Sequence, residues 1–114
     1  MAWQVETTEE YDTWFLEQTE DDQICIQVKV ELLKEYGPLL PRPFADTLNG
    51  SYIKNLKELR AQSEYHVFRI AFLFNRQRKA ILLIGDDKKG KNEKLFYRDL
   101  IKQAERIYKQ YLDK

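Results

Sequence analysis

Along the chain the spacing of hydrophobic positions changes twice. Residues 3 to 6 alternate weakly, as in a short edge strand. Thr7 or Thr8 with Glu10 then makes a helix cap ahead of Tyr11, Trp14, Phe15 and Gln18, predicting a first helix that runs to about Thr19. Thr19-Glu20-Asp21-Asp22 offers a second N-terminus, whose acids suit the positive end of a helix dipole. The segment that follows fits two periods: Ile24, Ile26, Val28 and Val30 alternate as in a strand, while Cys25, Val28 and Leu32 recur at helical spacing. Its stop at Gly37-Pro38 decides for a helix. Residues 37 to 49, which hold all three prolines, are expected to form a connecting loop.

After Gly50 the period shortens. Residues 56 to 60 fit a helix or a strand, but residues 65 to 75 are a strand by both composition and alternation, with His66, Phe68, Ile70, Phe72 and Phe74 on one face. That places Arg69 on the opposite face, away from the aromatic layer. Asn75-Arg76-Gln77-Arg78 reads as a hairpin turn, and residues 79 to 85 form an unbroken apolar strand that belongs near the centre of a sheet. From Asn92 onward Tyr97, Leu100, Ile101, Ala104, Ile107, Tyr108 and Tyr111 make the stripe of an amphipathic helix. The expected fold class is α+β: two N-terminal helices, a mostly antiparallel sheet of three to four strands, and a C-terminal helix.

The 114 residues correspond to one domain, with 43% hydrophobic and 13% aromatic residues, the composition of a globular protein. No stretch approaches the length of a bilayer span, the start lacks the pattern of a secretory signal, and the lone Cys25 suits a reducing cytoplasm. No membrane partner is expected. The formal net charge is zero, but it is unevenly distributed: residues 1 to 35 hold ten acids against two lysines, leaving 17 bases against nine acids in the remainder. A phosphate polymer responds to that local charge rather than to the total.

Gly85-Asp86-Asp87-Lys88-Lys89-Gly90-Lys91 fits the spacing of a phosphate-cradling P-loop, yet the context opposes that chemistry. The position that needs a magnesium-binding hydroxyl is Asn92, two aspartates would face the triphosphate, and the preceding strand is one arm of a hairpin. The alternative is a basic turn, with Lys88, Lys89, Lys91 and Lys94, close to Arg69, Arg60 and the aromatics Tyr65 and Tyr97. Cations interleaved with rings suit single-stranded nucleic acid, phosphates on the cations and bases on the rings. His66 falls on the aromatic core face and is assigned a structural role. Cys25, Trp3, Trp14 and Phe15 are taken as core.

Four segments together are similar to a known family: Asn55-Leu56-Lys57-Glu58-Leu59-Arg60, Phe68-Arg69-Ile70-Ala71-Phe72, the strand and basic turn over residues 82 to 92, and the C-terminal residues 103 to 112. In this order they resemble the RelE/HigB-type toxins of bacterial type II toxin-antitoxin systems, including phage-related members. The resemblance covers nearly the whole chain. It implies a single RelE-like domain over residues 1 to 114 and an endoribonuclease that cleaves mRNA, in the best-known members at the ribosomal A site. A cognate antitoxin, a small helix-turn-helix DNA-binding protein, is the implied partner.

Carried onto this chain, the resemblance matches Arg69 to the scissile phosphate, Tyr97 to the cleaved nucleotide, Lys88, Lys89 and Lys91 to a cation-bearing turn, and Glu58 and Arg60 to the Glu-Leu-Arg segment. The chemistry then needs an acid, one lysine of the turn with Lys89 taken as the catalytic one, and a base, either Glu58 or a lysine of lowered pKa. Lys57, Arg60, Lys88 and Lys91 are the implied RNA-binding cations. Unlike some members, the chain has no histidine near the C-terminal turn, and Asp86-Asp87 lie within its basic turn. RNA supplies its own 2′-OH nucleophile, so neither metal nor cofactor is called for. Two alternatives share the scaffold: a ParE-like toxin that inhibits DNA gyrase without cutting, and an inert phage-derived binding module.

Overall fold

The apolar runs at Val67–Phe74 (β4) and Lys79–Asp87 (β5) pair as an antiparallel hairpin and are covered on both faces, which is why β5 shows no polar alternation over most of its length. The computed structural model describes residues 2 to 114. Around the hairpin, β1 (Gln4–Thr7), β3 (Lys57–Gln62) and β2 (Ala45–Thr47) complete a five-stranded sheet in the order β1-β5-β4-β3-β2. β1 runs parallel to β5, and the other pairings are antiparallel.

One face carries α1 (Glu9–Leu16) and α2 (Glu20–Tyr36), whose Tyr11, Ile26, Val30 and Leu33 pack with Leu59, Phe68, Ile70, Phe72 and Leu82. The other carries α3 (Glu93–Leu112), whose Phe96, Leu100, Ala104 and Ile107 pack with Leu56, Ala71, Leu73, Ile81 and Leu83. Trp14 touches both layers. Thr8, Thr19 and Asn92 cap the three helices, each side chain accepting a backbone N–H three residues on.

The β4–β5 register contains one irregularity. Phe72 faces Leu82 and Ala71 faces Ile84, so Leu83 is an extra residue, a β-bulge. A bulge inverts the alternation beyond it. Before it, Ala80 and Leu82 face α1 and α2; after it, Gly85 and Asp87 take that side and Asp86 and Lys88 turn to the α3 side with Arg69. Gly85 therefore lies inside β5, where an added Cβ would come within 2.4 Å of the Trp14 ring. Gly85 is thus a strand residue rather than the start of the turn, and its hydrogen atom makes room for an indole. Gly90, at φ +75°, serves the turn, which Lys91 N–H closes on the Lys88 carbonyl at 3.2 Å.

The helices, the hairpin and the C-terminal helix fall where the sequence places them, with α1 ending at Leu16 rather than near Thr19. The sheet is larger than expected. β2 lies inside the supposed loop, since three residues are too few to show a period, and residues 56 to 60 resolve as strand because β4 is there to pair with them.

The bulge is anchored by Thr8, which is only 6% exposed. Its hydroxyl donates to the Leu83 carbonyl at 2.7 Å and accepts from Tyr11 N–H at 3.0 Å, capping α1 and satisfying the bulge at once. Replacing Thr8 with isosteric valine removes the cap and leaves a buried carbonyl unpaired, so Thr8→Val is expected to lose ~1–3 kcal/mol in urea denaturation. Thr8→Ser retains both bonds and stays closer to the parent; a Thr8→Val variant as stable as the parent contradicts this role.

Candidate functional site

The α3 face of the sheet changes from apolar to charged where the helix begins. Arg60, Arg69 and Asp86 stand in one row across β3, β4 and β5, with Asp46, Glu58, Ala71 and Ile84 in the row toward the helix. Lys88 extends the rim, its N–H bonded to the Val67 carbonyl at 2.7 Å. α3 starts at Glu93 and first reaches the core through Phe96, so these polar rows lie outside its cover. Tyr97, in the next helical position, leans over them.

Glu58 is the centre of this group and is 3% exposed. One carboxylate oxygen accepts the Tyr97 hydroxyl at 2.8 Å and lies 3.5 Å from Arg69 Nε. The other accepts from Arg60 Nε at 3.2 Å and Nη2 at 3.0 Å. Arg69 Nε donates to the Tyr97 oxygen at 3.2 Å, and its Nη1 donates to the Phe68 carbonyl at 3.0 Å. Arg60 also meets Asp46 at 3.4 Å, which Arg42 binds at 2.8 Å. A buried carboxylate is tolerable here because the Arg60 guanidinium and the Tyr97 phenol hydrogen-bond its oxygens and the Arg69 guanidinium stands within ion-pair distance.

This environment sets the protonation of the group. Burial pushes the Tyr97 phenol above its ordinary pKa, the Glu58 carboxylate it donates to adds to that rise, and Arg69 opposes it. Tyr97 is thus a neutral hydrogen-bond donor at physiological pH. For Arg60, burial works to lower the pKa, but the paired Glu58 outweighs it and the guanidinium is held above its ordinary value.

Of the sequence-derived candidates, the fold joins Glu58, Arg60, Arg69, Tyr97 and Lys88. Lys88 Nζ lies 5.5 Å from the Tyr97 ring centroid and 2.9 Å from Glu93. Lys89, the expected acid, instead lies 5.8 Å over the Tyr65 ring, and Lys91 pairs with Asp86 at 3.4 Å. Lys57 faces Phe72 in the register and so stands on the α1/α2 side of the sheet, away from Arg69. Asp46 joins the cluster without having been singled out, because a three-residue strand gives no periodic signal.

The two aspartates of the turn are structural partners of its lysines and backbone. Asp86 pairs with Lys91 and accepts the Asp87 N–H at 2.8 Å. Asp87 accepts Val67 N–H at 2.9 Å and Lys89 N–H at 3.0 Å, holding the end of β5 to the start of β4. Burial acts to raise its pKa, but these bonds and His66 outweigh that and lower it. His66 is on the α1/α2 side as expected, stacked on Phe68 with centroids 5.4 Å apart, yet its side chain is 40% exposed. It is a rim residue held between Asp87 and Asp22 rather than a buried core residue.

Residues 13–109 match the family described as Phage derived protein Gp49-like (DUF891). Two relatives from Mycobacterium tuberculosis (strain ATCC 25618 / H37Rv) are similar in sequence. Putative toxin HigB3 is 37% identical over 101 residues, covering 89% of this chain and 86% of that protein. Putative toxin HigB2 is 39% identical over 84 residues, covering 73% of this chain and 41% of that protein. The crystal structure of the toxin-antitoxin complex RelBE2 from Mycobacterium tuberculosis contains a chain of similar fold, with a TM-score of 0.53 at 11% identity, over 76% of this chain and 99% of that one. The chain belongs to the phage-derived Gp49-like family and is of the RelE/HigB toxin type. Among the described residues no helix is long and apolar enough to cross a membrane, and no group of three His, Cys, Asp or Glu side chains is placed to hold a metal ion.

The Tyr97 environment is open to direct measurement. Because its folded pKa is raised, the stability contributed by the neutral phenol is complete below the ordinary tyrosine pKa and is lost as pH climbs through the folded value. Replacing the carboxylate by an amide in Glu58→Gln is expected to move the Tyr97 titration downward, followed by NMR or ultraviolet absorbance. An unmoved titration contradicts the Glu58 contribution.

Proposed function

We propose that the protein is the toxin of a toxin-antitoxin pair and acts as a metal-independent endoribonuclease on mRNA, working on the ribosome and neutralised by a cognate helix-turn-helix antitoxin. The observation that carries this reading is the Tyr97 hydroxyl fixed between buried Glu58 and Arg69 at the uncovered end of the sheet. Gyrase inhibition by binding has no use for such an arrangement, whereas phosphodiester cleavage does.

In this mechanism the RNA 2′-OH attacks the adjacent phosphorus. The new P–O2′ bond forms as the P–O5′ bond breaks, leaving a 2′,3′-cyclic phosphate and a 5′-hydroxyl. The 2′-OH proton passes to the Tyr97 oxygen while the phenol proton moves to Glu58, so the carboxylate is the terminal base and Tyr97 the group that touches substrate. Glu58 could not take the proton directly in this arrangement, because both of its oxygens are already engaged. Arg69 Nη2 makes no hydrogen bond among the described residues and is available to the charge that builds on the phosphorane, where Arg60 adds a second guanidinium.

In this mechanism Lys88 protonates the leaving 5′-oxygen; its Nζ, 5.5 Å from the Tyr97 ring while that of Lys89 lies over Tyr65, supports choosing it over Lys89. Its exposed ion pair with Glu93, like that of Lys91 with Asp86, contributes little to stability and yields readily to a phosphate.

Expression in a bacterial host with 5′-end mapping of transcripts tests the proposal. Codon-positioned cuts are expected from the parent protein, with Arg69→Ala and Tyr97→Phe each losing about 10²–10⁴ in cleavage rate while remaining folded. Lys88→Ala should cost more than Lys89→Ala. Blocked replication with intact mRNA replaces this mechanism by gyrase inhibition, and a fully toxic Arg69→Ala removes the arginine from it. Cleavage of purified mRNA in the absence of ribosomes removes the ribosome requirement alone.

A further inference from the structure

Beside the Glu58 cluster the sheet edge opens. β2 pairs with β3 only as far as Leu59, and the Arg60 N–H then bonds the Phe44 carbonyl at 2.8 Å as the chain leaves the sheet. Ala61 and Gln62 thereafter form an outer edge with no strand alongside among the described residues. A groove of about 300 Å³ lies there, lined by Lys29 of α2, Phe44, Gln62, Arg60 and Arg69. That volume is at the small end for ligand pockets. The groove shares both arginines with the phosphate site and is continuous with it.

We infer that this groove is a subsite for the nucleotide next to the cleaved bond, with Phe44 as the platform for its base and Lys29 as the cation for its outer phosphate. The inference rests on the endoribonuclease reading for the position of the scissile phosphate. Its chemistry comes from the groove: three cations, a partly exposed ring and a side-chain amide, with no carboxylate in the lining. The groove between α1 and the end of β5 is the opposite, lined by Glu9, Glu10, Glu17 and Asp86, and would repel a phosphate.

Lys29 Nζ lies 4.9 Å from the Phe44 centroid, covering the ring in the absence of a base. Such a contact is weak at an exposed site, so the ammonium can move to a phosphate as a base takes its place on the ring. Gln62, exposed at the edge strand, supplies both a donor and an acceptor to the base edge. This makes Phe44, Gln62 and Lys29 the part of the groove where sequence preference around the cut arises, beside the two arginines it shares with the phosphate site.

The test uses a fully 2′-O-methylated trinucleotide, which cannot be cleaved, and versions abasic at its 5′ or 3′ end. Loss of the base at one end is expected to weaken binding to the parent protein roughly tenfold, and less than about twofold in Phe44→Leu, which preserves apolar volume but not the ring face. Lys29→Gln, on the surface of α2, should weaken all the probes and reduce their salt dependence, providing a second readout if Phe44→Leu folds poorly. Equal binding of intact and abasic probes by the parent, or unchanged discrimination and affinity in the two variants, overturns the subsite. Cleavage of the unmodified trinucleotide, alone and on ribosomes, is scored separately. Discrimination by a protein that cuts neither the trinucleotide nor cellular transcripts keeps the groove as a nucleotide-binding site and removes the endoribonuclease reading.

Discussion

The hydrogen bond from the Thr8 hydroxyl to the Leu83 carbonyl holds the one irregular point in the central hairpin, and the arrangement of the site follows from that point. With β5 in perfect alternation, Asp86 and Lys88 would face α1 and α2, while Gly85 and Asp87 would face α3. One extra residue exchanges the two sets. Lys88 thereby comes to Tyr97, Gly85 slides under Trp14, and Asp87 reaches His66 on the far side. The same threonine starts α1, so the helix and the bulge are fixed together.

Burial then divides the α3 side into two regions. Where the helix covers the sheet the residues are apolar, and where it has not yet begun they are charged, with Glu58 at the boundary. A carboxylate so deeply placed requires partners, and those it has come from three elements: Arg60 beside it on β3, Arg69 on β4 and Tyr97 on α3. Removing any one leaves the others imperfectly paired, which makes the group act as a unit. Pre-alignment of this kind is what a reaction with developing charge requires of its surroundings.

The cluster mixes both signs of charge, Arg42, Arg60 and Arg69 against Asp46 and Glu58, as does the chain with its formal net charge of zero. The carboxylates divide by exposure. Glu58 is buried and remains with its partners, whereas Glu93 is largely exposed and holds Lys88 only loosely. Under the proposed function, a phosphate would compete with weak surface pairs and leave the buried framework intact. Glu9, Glu10 and Asp12 of α1 and Glu20, Asp21 and Asp22 of α2 serve a different purpose, standing in the first turns of their helices where the dipole favours them.

By itself the sequence determined the three helices, the central hairpin and the side of the sheet on which Arg69 stands, because caps, periods of 3.6 and 2.0, and turn residues are local signals. The motif resemblance also singled out Glu58, Arg60 and Tyr97, whose side chains the fold brings into contact. Only the tertiary structure decided the rest. The bulge was hidden in an unbroken apolar run, where any register reads the same, and with it the approach of Lys88 to Tyr97 while Lys89 lies over Tyr65. β2 was too short for a period, so Asp46 and the Phe44 groove had no signal in the chain. Lys57 shared a motif with Glu58, but adjacent strand residues point to opposite faces, and pairing with β4 settled which face was which. Local pattern fixes what an element is; which of its residues meet depends on register, and register is a property of two strands together.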